Sequence, residues 1–191
     1  KVFGKDADQD NIFQAIAAYE RTIVNGNDET PFDRWQVKGD QAAVSDQVKR
    51  GYEVFKQANC NKCHDGHLFT DQQYHNVGIG MDAAPDKVDK GRFAALKDLK
   101  DDDPEKVKLT GAFKTPTLRD VAKSAPYFHD GSAATLEDAI EIMTGGGKPN
   151  PYLDKANLKK ANLTPAQKED LIAFLKSLST DKCNVIAPKL P

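Results

Sequence analysis

The 191-residue sequence predicts an all-α fold with long structured loops. Helical periodicity in four separate segments, helix-capping signatures ahead of the later ones, and the near absence of alternating or β-branched runs carry that expectation. A further feature qualifies it: from Asp65 to about Phe128, Gly, Pro, Asp and Asn recur without a period. Loops of such length are rare in a packed domain unless something holds them, and a buried prosthetic group would do so.

The first helical segment is NIFQAIAAYERTIV, with Ile12, Ile16 and Ile23 along one side, Phe13 and Ala17 beside them, and an end before Asn25-Gly26. NGNDETPFDRWQVKGD follows, and its turn residues predict a connection lying across a surface with Phe32 and Trp35 as anchors. Ser45 is the N-cap expected for the next helix, whose stripe of Val44, Val48, Tyr52 and Phe55 runs directly into Cys60-Asn61-Lys62-Cys63-His64. After the long irregular region, Thr135-Leu136-Glu137-Asp138 forms a capping-box pattern, Leu136, Ile140 and Met143 share a face, and Gly145-Gly146-Gly147 stops the helix. The last helix is announced by Thr164 as N-cap, Pro165 at the first helical position and Gln167 closing the box, with Leu171, Leu175 and Leu178 in register.

Composition narrows the function classes. Lys plus Arg (27) nearly cancels Asp plus Glu (29), no long block of one sign occurs, and nothing recruits nucleic acid. No apolar run approaches the roughly 18–20 residues a membrane span needs, and KVFGKDADQD has neither a basic nor an apolar leader region, so the chain reads as soluble. It opens at Lys1 rather than Met, which predicts a segment removed upstream. Three cysteines make a poor disulfide framework; Cys183 stands alone in the tail, as a free thiol or as a bridge to another chain or segment.

Two thiols one helical turn apart, with an imidazole directly after the second, have three main uses. A redox dithiol belongs in a βαβ unit, and no strand signal precedes this one. Zinc could recruit Cys60, Cys63 and His67, but the further candidates His75, His129 and Cys183 are isolated. Haem suits the pattern best: thioether attachment through both cysteines holds the macrocycle beside the helix end, and His64 meets the iron. The sixth ligand then decides the chemistry, because iron closed on both sides exchanges electrons while an open position binds peroxide or oxygen. Candidates are Met81, Met143, His67, His75 and His129. His67 is tethered to the proximal side. Met143, on the apolar face of a short helix before three glycines, is preferred to a core-filling role, and Met81 in GIGMDAAP is the second choice. His75 and His129 are expected to bond backbone or carboxylate groups, with a supporting or interface role as the sharper alternative. Asp65 and Asp130 are expected in turns.

The succession CNKCHDGHLFTD, QYHNVG, GRF, AFKTPTLRDVAKSAPYFHDGSAATLEDAIEIM and LTPAQKEDLIAFLKSL resembles the C-terminal, electron-transferring half of bacterial di-haem cytochrome c peroxidases over about residues 11 to 179. The resemblance implies a cytochrome c-like haem domain at 41–180, preceded by a helix and crossing segment at 1–40 and followed by a tail at 181–191. It implies one covalently bound haem c on Cys60 and Cys63, proximal His64, and Met143 on the sixth position. A related branch that matures methylamine dehydrogenase has tyrosine there, so methionine favours the peroxidase side. The family also holds calcium between its haem domains, which by position involves backbone carbonyls of Ser124 and Pro126 and ligands from elsewhere.

One departure is large. The peroxide-cleaving haem of that family sits in an N-terminal domain with its own C-x-x-C-H, and this sequence has a single one. The resemblance therefore implies an electron-transfer unit, taking electrons from a small cytochrome or copper protein and passing them to a peroxidatic haem on a second domain or chain, in the periplasm. By itself the chain is expected to transfer electrons only. The rival expectations are a one-haem enzyme or sensor with a labile sixth ligand, and a structural zinc protein.

Overall fold

The computed structural model describes residue 4 and residues 6–21, 30–84 and 86–180. Helix α1, Gln9–Glu20, starts two residues earlier than expected because Asp8 and Asn11 close a reciprocal capping box. Its apolar stripe is open to solvent: Ile12 is 46%, Phe13 57% and Ile16 50% exposed. Ile23 and Cys183 lie outside the described residues.

The expected irregular connection instead contains a short helix, α2 (Pro31–Gln36). Thr30 caps it by accepting from the Asp33 N–H, and Pro31 occupies the first turn, the Thr-Pro device that also opens the last helix. Both expected anchors hold: Phe32 is buried and Trp35 packs against the core.

Helix α3, Asp46–Gln57, is capped by Ser45 as read. It lies against the C-terminal helix, Pro165–Ser177, numbered α7 below. A Cβ on Gly51 would fall 1.9 Å from the Asp170 carbonyl oxygen, so only glycine permits this approach of the two helices. The core forms where they meet. The rings of Phe32, Phe55 and Phe69 lie 5.4, 5.0 and 6.0 Å from that of Phe174, and Leu171, Leu175 and Leu178 are buried beside them.

The aperiodic region is organised by very short pieces: β1 (Tyr74–His75), α4 (Arg92–Ala95), α5 (Pro104–Val107), β2 (Phe113–Lys114) and a 3₁₀ turn at Val121–Lys123. β1 and β2 pair antiparallel, Tyr74 with Lys114 and His75 with Phe113. Elements of two to four residues span barely one helical or strand period, so no recurrence develops that a sequence pattern could show. Helix α6, Leu136–Thr144, has the expected Thr135/Asp138 capping box and packs on α7. The all-α class stands, and no described helix is long and apolar enough to cross a membrane.

One buried ion pair fastens α2 to this region. Arg119 grips both carboxylate oxygens of Asp33, at 2.7 and 2.9 Å, and also donates to the His67 carbonyl at 2.9 and 2.7 Å. Thr30 donates its hydroxyl to the same carboxylate at 2.6 Å. Such bidentate, fully hydrogen-bonded geometry is what lets a charge pair survive burial.

Candidate functional site

Helix α3 ends at Gln57 with Ala58 as its C-cap, Asn59 turns the chain with a left-handed φ of 61°, and the 3₁₀ turn Cys60–Lys62 follows. Asn tolerates that conformation better than most residues. The turn delivers Cys60, Cys63 and His64 to the wall of a cavity of about 570 Å³. Phe55, Leu136, Ile140 and Leu171 give the cavity an apolar lining, and Met143 reaches it from α6. Its size falls within the range of cofactor sites. The sequence-predicted set Cys60, Cys63, His64 and Met143 is thus brought to one cavity from two distant elements.

The chemistry of the set separates the three uses of the motif. Burial pushes the Cys60 and Cys63 thiols up to about 11, the opposite of what a reactive dithiol needs. The His64 Nδ1 lies 3.0 Å from the Phe69 carbonyl oxygen. That carbonyl can only accept, so Nδ1 carries the proton and Nε2 keeps its lone pair. Burial also holds the imidazole below its ordinary pKa, favouring the neutral, ligating form. Two partly buried, protonated thiols beside an oriented neutral imidazole fit thioether attachment of a haem with one axial nitrogen.

Of the other candidates, Met81 and His67 lie away from the cavity, while His75 and His129 line it with their rings engaged by other partners. Met81 packs against Gly111, where a Cβ would come within 2.3 Å of its sulfur. His67 is exposed, and its ring and carbonyl face Arg119, so Cys60, Cys63 and His67 do not gather for zinc. Among the described residues the one group with metal-ligand spacing is Cys63, Asp71 and His75, and two of its members are bonded to each other. His129 stands at the cavity wall, stacked on Phe113 with ring centroids 3.6 Å apart. Asp130 serves a turn as expected, accepting from the Ser132 N–H. Ser124 and Pro126 lie on an exposed turn that also borders the cavity.

His75 is bonded to carboxylates, in line with its default expectation. Its Nδ1 is 2.6 Å from Asp154 Oδ2 and its Nε2 2.8 Å from Asp71 Oδ2. With an acceptor at each nitrogen, both must be protonated. Burial would lower its pKa, but the bonds to Asp154 and Asp71 outweigh it and hold it above the ordinary value. Burial likewise opposes ionisation of Asp71 and Asp154, yet donors including the Gln73 N–H, Asn157 and His75 leave both carboxyls below the usual range. Asp154, Asp33 and Arg119 were not singled out by sequence reasoning, since their partners are remote along the chain.

Comparison with known proteins follows the same lines. The family described as Cytochrome c matches residues 48–179. The chain is 38% identical over its whole length to the methylamine utilization protein MauG of Methylophilus methylotrophus, covering 53% of that protein. It is 37% identical over 98% of its length to cytochrome c551 peroxidase of Pseudomonas aeruginosa, covering 49%, and 36% identical over its whole length to cytochrome-c peroxidase IdrP1 of Denitromonas iodatirespirans, covering 56%. Among solved structures, a MauG-like protein associated with microbial copper homeostasis superposes with a TM-score of 0.71 at 28% identity, over 93% of this chain and 55% of that one. The chain spans about half the length of the curated relatives it matches.

Proposed function

Since the chain belongs to the cytochrome c family, on the side of proteins named cytochrome c peroxidase and MauG, we propose that it is the electron-transfer unit of a peroxidase-like c-type cytochrome. Family membership implies haem c, which when bound supplies one-electron exchange at its iron. Cys60 and Cys63 would each add an S–H across a vinyl group of the macrocycle, a step needing no external oxidant. His64 would offer Nε2 to the iron, oriented by the Phe69 carbonyl, and Met143 would occupy the sixth position from α6. Phe55, Ile140 and their neighbours exclude water, and burial with thioether ligation raises the reduction potential.

The observation that carries this reading is the convergence of an oriented His64 and Met143 on one apolar cavity beside two partly buried thiols. Held by both His64 and Met143, the group would exchange electrons only, and the domain would pass them from a small cytochrome or copper protein to a peroxide-reducing haem carried outside residues 41–180. Residues 1–40 would cross toward that second domain or chain; the tail expected at 181–191 lies outside the described residues. The same proposal includes a periplasmic location, where thioether attachment takes place, and a calcium ion on the carbonyls of Ser124 and Pro126, oxygen ligands of the kind calcium prefers.

The test is an intact mass of the denatured chain, which counts covalent haems, followed by carbon monoxide addition to the reduced protein. One haem and sluggish, partial binding are expected. Rapid and complete binding at neutral pH would sink methionine closure and favour the one-haem enzyme or sensor; a colourless, haem-free chain would sink the whole reading.

A further inference from the structure

The QYHNVG segment supplies no haem-attaching residue, yet it is tied into the site at nearly every position. On one side, the Asp71 N–H donates to the Cys63 carbonyl at 2.7 Å, and Asp71 Oδ2 receives His75 Nε2 at 2.8 Å. On the other side, His75 Nδ1 reaches Asp154 at 2.6 Å. Asn76, only 2% exposed, exchanges side-chain amide bonds with Asn150 at 3.2 and 3.1 Å. The Asn76 and Val77 carbonyls accept from the N–H groups of Asp154 and Lys148 at 3.0 and 3.1 Å. At Gly78, with φ of 87°, a Cβ would fall 2.0 Å from the Lys148 carbonyl oxygen, so the two strands of chain touch there.

The loop held in this way, Lys148 to Asn157, is the one that leaves Met143 through the three glycines. Asp154, Asn157 and Leu158 line the cavity with Met143, while Cys63 and His64 line it from the other segment. The strap therefore joins the piece of chain that bears His64 to the piece that follows Met143. Among side chains, a protonated imidazole is suited to its centre: it is flat, short, and donates from opposite ends. Without it, two partly buried carboxylates would face each other with no proton between them.

We propose that His75, pinned between Asp71 and Asp154, is a positioning residue that holds the Met143 side of the cavity against the His64 side and so keeps methionine on the iron. This rests on the reading of Met143 as the sixth ligand. Asp71, Asp154 and Asn76 are its partners in the same task, and the QYHNVG motif is explained by it.

The experiment uses the holoprotein and three variants, His75→Phe, Asp154→Asn and Met143→Ala. Two quantities are read: the long-wavelength ferric absorption of methionine-ligated haem, and the rate of carbon monoxide binding to the reduced form. Wild type should show the band and bind slowly, and Met143→Ala should lack the band and set the fast limit. His75→Phe and Asp154→Asn should keep their covalent haem, lose part or all of the band, and bind carbon monoxide roughly 10- to 100-fold faster, the scale of effects seen when groups supporting a metal ligand are removed. Asp154→Asn, which keeps size and one hydrogen bond, answers the question should His75→Phe not fold. Retention of the band and of slow binding in the variants, with only a lower melting temperature, would overturn the proposal. Absence of the band in wild type would instead refute Met143 as ligand, a separate failure visible before any variant is measured.

Discussion

Asp33→Ala isolates the energetics of the buried ion pair. The side chains of Asp33 and Arg119 are 1% and 5% exposed, so removing the carboxylate strands a guanidinium that water cannot reach. Breaking a buried pair by deleting one partner costs about 3–5 kcal/mol. Arg119 keeps its two bonds to the His67 carbonyl, which places the expected loss at the low end, about 3 kcal/mol. For a chain of this size each kcal/mol lowers the melting temperature by about 2–4 °C, so a fall of about 6–12 °C is expected. Thermal unfolding of the holoprotein followed by far-ultraviolet circular dichroism measures it. The double variant Asp33→Leu with Arg119→Met removes both charges and should lose less than the sum of the single variants by at least about 2 kcal/mol. A fall of under about 3 °C for Asp33→Ala, roughly 1 kcal/mol, would refute the argument, because it would mean that Arg119 finds water or another partner at little cost.

Gly51→Ala should destabilise the fold by about 1–2 kcal/mol, the overpacking cost against the Asp170 carbonyl exceeding the gain in helix propensity, as read by chemical denaturation. Cys60→Ser should leave haem held by a single bond and Cys60→Ser with Cys63→Ser by none; the mass of the acid-washed chain and its loss of colour report this directly. The strap should give stability a defined pH profile. His75, whose folded pKa is raised, contributes in full below the ordinary imidazole value of 6.5 and loses its contribution as pH climbs through the raised value. Asp71 and Asp154, whose folded values are depressed from 3.8, contribute above that value and lose their contribution as pH falls through the depressed ones. The groups facing His75 are those two carboxylates, with Cys63 and His64 nearby. Stability measured by denaturant titration should therefore be greatest from about pH 5 to 6.5 and decline on either side, and His75→Phe should flatten the alkaline decline.

What the sequence made legible was local. Ser45, Thr135 with Asp138, and Thr164 with Gln167 mark helix starts because capping is an interaction across three residues, and all three appear where expected. Cys60, Cys63 and His64 are fixed in relation to one another by a single turn for the same reason. Helix α2 was within reach: Thr30-Pro31 is the signal used at Thr164-Pro165, but its short length and the surrounding turn residues hid it. The stripe of α1 was read correctly as helical, although its amphipathic pattern gave no indication that the apolar side is solvent-facing in these 191 residues. The pairs Asp33–Arg119 and His75–Asp154 span 86 and 79 residues, and no spacing rule connects residues so far apart. Met143 sits between these cases, since its helix was legible but its arrival at the cavity depends on how α6 packs.

The fork of Arg119 has a mechanical meaning as well as a stabilising one. One prong is clamped to α2 and another to the carbonyl three residues past His64, so the upstream chain and the loop that follows His64 hang from a single rigid plane of atoms. Whatever tilts the segment ahead of α3 must either tear that fork loose or drag the imidazole's neighbourhood along, and a motion begun at the front of the chain would be felt as a torque on the wall of the cavity.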